Sequence, residues 1–163
     1  MALAISLSSL VERGGVYFNI AGATSVEALS EATKAMSLPK DVDRGQLYNA
    51  ILEREALMPT AIGNGVAIPH PRNPILSDDE DQRVAVFFLK TPISYNALDR
   101  KPVSVFFLIL SSNPRSHLSV LAEISHLCQR EEFLALLATR PSTEELVAYI
   151  VKSEQSLEPK TPK

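Results

Sequence analysis

Two kinds of hydrophobic spacing divide this chain. Between residues 25 and 36 a helical step runs through Ala28, Leu29, Ala32 and Met36, and between residues 43 and 54 another runs through Leu47, Ala50 and Ile51. Both sets follow the three-and-four step of a helix that buries one face. Ser25 and Asp43 are suited to cap these two helices, and Leu38-Pro39 stops the first. Residues 84–89 and 103–110 carry no such step: they are near-continuous β-branched, aromatic and aliphatic runs, which predicts strands covered on both faces. Ahead of them, Asn64-Gly65 is flanked by Ala61-Ile62 and Val66-Ala67-Ile68 and predicts a hairpin with a type I′ turn.

The C-terminal third returns to the helical step. Asn113 supplies a cap and Pro114 the first helical position of a helix whose apolar stripe is Leu118, Leu121, Ile124 and Cys128. Residues 131–139 and 142–152 are helical as well, the second opened by a capping box of Ser142 and Glu145. The order helix, helix, hairpin, strand, strand, helices predicts an α/β or α+β sandwich in one domain, residues 1–152. Residues 153–163, rich in Ser, Glu, Pro and Lys, read as a disordered tail.

Length and charge narrow the function. A chain of 163 residues with 45% hydrophobic content closes one core and is short for two. Sixteen basic against nineteen acidic side chains leave a net charge of −3, without the excess that draws a chain to nucleic acid. Residues 1–10 lack a positive start before their apolar residues, and no apolar run reaches the length of a membrane span. A cytoplasmic chain with no direct membrane insertion is the expectation, and the lone Cys128 agrees with a reducing compartment.

No phosphate-binding glycine loop, nucleophile elbow or zinc-ligand spacing is present, so neither cofactor nor metal is expected. The acidic run Asp78-Asp79-Glu80-Asp81 lacks the ligand spacing of a calcium loop and reads as solvated. Three basic side chains stand out instead. His70 lies between Pro69 and Pro71; each proline sets its own φ, and Pro71 pushes His70 into extended backbone, so the imidazole sits on a stiff mount. His117 shares a face with Leu121, Ile124 and Cys128, whereas His126, nine residues on, falls on the polar face. His117 is either a core histidine satisfied by a carbonyl or part of a site. Arg54, three positions after Ile51, falls on its helix's apolar stripe, where it either snorkels to solvent or serves chemistry.

Glu53-Arg54-Glu55 followed by Thr60-Ala61-Ile62-Gly63-Asn64-Gly65-Val66-Ala67-Ile68-Pro69-His70 resembles the active-site segment of the bacterial phosphotransferase-system IIA proteins of the fructose/mannitol and nitrogen-regulatory type. The resemblance continues through Pro92-Ile93, Ala97-Leu98-Asp99, Pro102-Val103 and Ser116-His117-Leu118, from about residue 5 to about residue 150. It implies a mixed central sheet of about five strands flanked by helices on both faces. His70 would accept a phosphoryl group from an HPr-type carrier or its nitrogen-branch counterpart, with His117 beside it and Arg54 nearby. One departure is evident: the family usually has a small residue after this histidine, where the chain has Pro71 and then Arg72. Proline removes a backbone donor, and Arg72 is suited to replace it with a charge-assisted contact.

The resemblance implies a carrier that regulates target proteins through its phosphorylation state. Two alternatives stand beside it: a sugar-specific IIA component passing phosphate to a separate IIB subunit, and a IIA-like binding module that is not phosphorylated. A hydrolase using His70 as base is disfavoured, because no serine, cysteine or metal partner is visible.

Overall fold

The computed structural model describes residues 6–157. Helix α1 (Leu7–Gly14) leads into strand β1 (Val16–Ile20), and helices α2 (Ser25–Ala35) and α3 (Arg44–Leu57) follow. Strands β2 (Ala61–Gly63) and β3 (Val66–Ala67) form the hairpin; β4 (Arg83–Ile93) and β5 (Val103–Leu110) come next, then α4 (Pro114–Leu127), α5 (Glu131–Ala138) and α6 (Thr143–Leu157). The strands form one five-stranded mixed sheet in the order β1-β4-β5-β3-β2. β4 and β5 run antiparallel at its centre, while β1 on β4 and β3 on β5 are parallel.

Strand alternation sorts the core into two layers. Val84, Val86 and Phe88 of β4 and Val105, Phe107 and Ile109 of β5 point to one face, where α1, α4, α5 and α6 cover them. Ala85, Phe87, Leu89, Phe106, Leu108 and Leu110 point to the other, against α2 and α3. Both central strands are thus buried on both sides, which is why their sequences carry no polar alternation.

The local signals hold in most places. Asn64 and Gly65 have φ of 56° and 82°, the positive values a type I′ turn requires. Asp43 accepts from the Gln46 N–H at 2.8 Å and Asn113 from the Ser116 N–H at 2.8 Å, so both caps form. Ser142 and Glu145 exchange the two bonds of the capping box, at 3.2 and 3.3 Å.

Elsewhere the structure departs from those expectations. The cap of α2 is Thr24, whose hydroxyl accepts from the Glu27 N–H at 3.2 Å, with Ser25 already helical. Helix α1 and strand β1 are not legible from spacing: α1 has eight residues and opens in a serine cluster, and β1 is an edge strand with two consecutive exposed positions. Tertiary stacking holds β1, with Tyr17 on Phe87 at 5.1 Å and Phe18 on Phe88 at 5.5 Å between ring centroids. Helix α6 continues past Lys152 to Leu157, so the expected tail boundary moves. Ser153 is buried and accepts a hydrogen bond from Arg130 at 3.1 Å, which a disordered tail could not provide. Residues 158–163 lie outside those described.

Candidate functional site

The site forms where β3 ends. The chain leaves β3 at Ala67, and two bonds hold it beside its neighbours: the Ile68 N–H donates to Thr60 at 3.0 Å and the Ile109 N–H donates to Pro69 at 3.1 Å. β5 ends at Leu110 next to this segment, and α4 begins four residues later, at Pro114, behind the Asn113 cap. The crevice outside the carboxyl ends of parallel strands is where open α/β sheets place ligands. Here it receives His70 from the loop after β3 and His117 from the first turn of α4.

His70 is 6% exposed. Its Nδ1 lies 2.8 Å from the Ile68 carbonyl oxygen. A carbonyl can only accept, so Nδ1 carries the proton and the lone pair of the neutral ring is on Nε2. Burial holds the His70 pKa below its ordinary value; the Ile68 bond opposes this, and the positive charge of Arg54 adds to it. At neutral pH the ring is therefore an uncharged nucleophile presenting Nε2.

His117 packs against His70 with ring centroids 4.5 Å apart and planes tilted by 53°. It is half-buried, and its pKa is pulled down to about 4, first by burial and then by His70 and Arg54. Two neutral imidazoles in contact, with a guanidinium acting on both, make a site suited to an anion. A phosphoryl dianion would reverse the effect of Arg54, since the same positive charge that disfavours an imidazolium stabilises phosphate.

Arg54 sits on the other side of the sheet, near enough for its charge to lower the pKa of both histidines. It lies in the last turn of α3, half-buried, and Nη1 donates to the Met58 carbonyl at 2.6 Å. His70 and His117 are thus set ring on ring from a loop and a helix, and Arg54, on a helix of the opposite face, acts on both through its charge. His126 is exposed on α4 and takes no part. Leu118 corrects the sequence reading: it is 65% exposed, because the buried side of α4 is Val120, Ile124, Leu127 and Cys128, and at about 100° per residue Leu118 falls well off that face. With Arg72, Asn73, Ile75, Ser111 and His117 it lines a cleft of about 220 Å³.

Residues 9–153 match the family model for the phosphoenolpyruvate-dependent sugar phosphotransferase system, EIIA 2. The chain belongs to that family. A nitrogen regulatory protein of Escherichia coli (strain K12) is 36% identical to this IIA chain over 134 residues, covering 80% of the chain and 78% of that protein. The crystal structure of nitrogen regulatory protein IIA-Ntr from Neisseria meningitidis has the same fold, with a TM-score of 0.75 at 24% identity over 88% of this chain and 97% of that one. A chain of the Escherichia coli complex of enzyme IIA mannitol with phosphorylated enzyme IIB mannitol matches with a TM-score of 0.61 at 19% identity, over 85% and 94%.

Spacing alone did not reveal the residues that brace this IIA site. Asp99 accepts the Asn64 N–H at 2.8 Å and the Lys101 N–H at 3.0 Å; these two bonds hold its carboxyl below the usual range and pin the hairpin turn to the loop before β5. Asn64 also donates from its side chain to Cys128 at 3.2 Å, fixing the turn to the end of α4. Asp99 stands in Asn96-Ala97-Leu98-Asp99-Arg100, a turn-forming composition that marks it as a loop residue and nothing more. Cys128 is buried with its thiol pushed up to about 12, consistent with a packing role. Among the described residues no helix is long and apolar enough to cross a membrane.

Proposed function

We propose that this IIA chain is a phosphoryl carrier that accepts a phosphoryl group on His70 from a phosphorylated HPr-type carrier or its nitrogen-branch counterpart. The observation that carries this reading is the Ile68 bond, which fixes the proton on Nδ1 and leaves Nε2 free beside His117 and within the field of Arg54. In the transfer, the Nε2 lone pair forms a bond to phosphorus while the bond from phosphorus to the donor's ring nitrogen breaks. The electron pair returns to the donor imidazole, which leaves neutral with its other N–H intact. His70 becomes a phosphorylated imidazolium whose Nδ1–H remains on the Ile68 carbonyl. Arg54 and one N–H of neutral His117 stabilise the phosphoryl oxygens. Arg72, exposed at the cleft that His117 lines, supplies a further cation in the loop where Pro71 lacks an N–H.

The phosphorylated form then differs from the free one by about two negative charges, enough to change which proteins the surface fits. Regulation of target proteins is the favoured outcome, since relatives named nitrogen regulatory protein align over most of the chain. A second reading, handing the phosphate to a IIB subunit, draws support from the structural match to a IIA–IIB complex. Incubation with phosphorylated HPr-type carrier, followed by intact mass, tests the common step: wild type gains one acid-labile phosphoryl group and His70→Ala gains none. An unmodified wild type leaves a binding module and overturns the carrier reading. Loss of the label to a IIB domain within seconds of mixing would favour the transport reading over regulation.

A further inference from the structure

We infer that Glu55 is a positioning residue for His70, acting through Thr60 and Ile68. Glu55 lies in the last turn of α3, immediately after Arg54, and its carboxylate grips one residue twice. Oε2 accepts the Thr60 N–H at 3.1 Å, and Oε1 accepts the Thr60 hydroxyl. Thr60 is 6% exposed, so these are shielded bonds. The Thr60 carbonyl accepts the Ile68 N–H at 3.0 Å, and the Ile68 carbonyl accepts Nδ1–H of His70 at 2.8 Å.

Successive bonds thus run from a carboxylate at the end of α3 to the proton that decides which nitrogen of His70 is free. They cross from one residue to the next through covalent backbone, so the coupling is mechanical: Glu55 sets the place of Thr60, Thr60 sets Ile68, and the Ile68 carbonyl sets the ring. Because Arg54 is the preceding residue, the same clamp also fixes the backbone that carries the guanidinium. Tyr95, 4% exposed, is part of the same buried cluster, and its hydroxyl is held far above its ordinary range by burial and then by the Glu55 charge. The hydroxyl lies beside Thr60 and Glu55 without a well-formed hydrogen bond to either, so the clamp consists of Glu55 and Thr60.

A carboxylate that merely staples the α3–β2 connection would affect stability and leave the imidazole unchanged. The test therefore reads the ring directly, by long-range proton–nitrogen NMR of His70, together with single-turnover phosphorylation by an HPr-type phosphodonor. The tautomer measurement stands without the carrier reading; only the rate depends on it, so an unphosphorylated wild type would sink that reading and leave this one testable. In wild type His70 is in the Nδ1–H form. In Glu55→Ala a population of the Nε2–H form appears, and the transfer rate falls about ten- to a hundred-fold, the range expected for a misplaced reacting group, with KM for the donor little changed. Thr60→Ser, which keeps both bonds, retains the wild-type tautomer and rate; Thr60→Val, which keeps only the N–H, falls between. A folded Glu55→Ala protein with pure Nδ1–H His70 and a rate within about two-fold of wild type would overturn the inference. Should Glu55→Ala not fold, Glu55→Gln, left with a single acceptor oxygen, and Thr60→Val carry the test, and an unchanged tautomer in both overturns it.

Discussion

Acid should weaken this protein through the histidine pair, and the size of the effect follows from His117. Its pKa is about 4 in the folded chain against 6.5 when free. The folded value is the lower one, so the unfolded chain binds more protons below 6.5, and stability falls as pH drops through that value and levels off below about 4. At about pH 5 the difference between the two states is about 2 kcal/mol, since the unfolded ring is almost wholly protonated and the folded ring almost wholly neutral. Solvent screening at a half-buried ring brings this to about 1 kcal/mol. His70 shifts in the same direction and adds to the loss. The clean perturbation is His117→Asn, which keeps a polar group and removes the titration. Urea unfolding of wild type and variant at about pH 7.5 and about pH 5 should show wild type losing about 1 kcal/mol more than the variant, a relative midpoint shift of about 0.5 M. Equal losses in the two proteins, or an NMR titration placing His117 near 6.5, would refute the reasoning.

Three further outcomes follow from single contacts. Gly14→Ala would put a Cβ 2.0 Å from the Val84 carbonyl oxygen, a backbone atom that cannot step aside; α1 must lift from β4, and a loss of about 3 kcal/mol or more, or failure to fold, is expected in thermal melts. Tyr95→Phe removes a buried hydroxyl that has no well-formed hydrogen bond, so it should be neutral or stabilise by up to about 1 kcal/mol, whereas a marked loss would show that the hydroxyl is bonded in solution. Asn113→Ala deletes the α4 cap at the mouth of the site; chemical denaturation should show a cost of about 1 kcal/mol, and the phosphorylation rate should drop as His117 loses its mount.

What was legible in advance was whatever the chain specifies locally. The step of α2 and α3, the Asn64-Gly65 turn, the caps at Asp43 and Asn113 and the two apolar runs of β4 and β5 are properties of neighbouring residues, and they sufficed for the sandwich. Pro69 and Pro71 stiffen the backbone around His70 in any context, so that residue could be singled out before any fold was known. Edge strand β1 and short α1 escaped because what holds them is distant: aromatic rings on β4, and a backbone close enough to Val84 that only glycine fits at position 14. Leu118 was misjudged for a different reason: the inner face of α4 is centred on Val120, Ile124 and Leu127, and Leu118 lies off it.

The sequence by itself determined which imidazole is rigidly mounted and which basic residues face inward. Tertiary structure alone decided that His117 meets that imidazole and that the charge of Arg54, carried on a helix from the opposite face of the sheet, acts on both rings. It also decided which ring nitrogen is free, because that depends on a carbonyl whose position is held by Thr60 and Glu55 on another element. The physical reason is that ring contact and hydrogen bonds act through a few ångströms of space and charge somewhat farther, and only the packed sheet brings residues 54, 70 and 117 within those ranges.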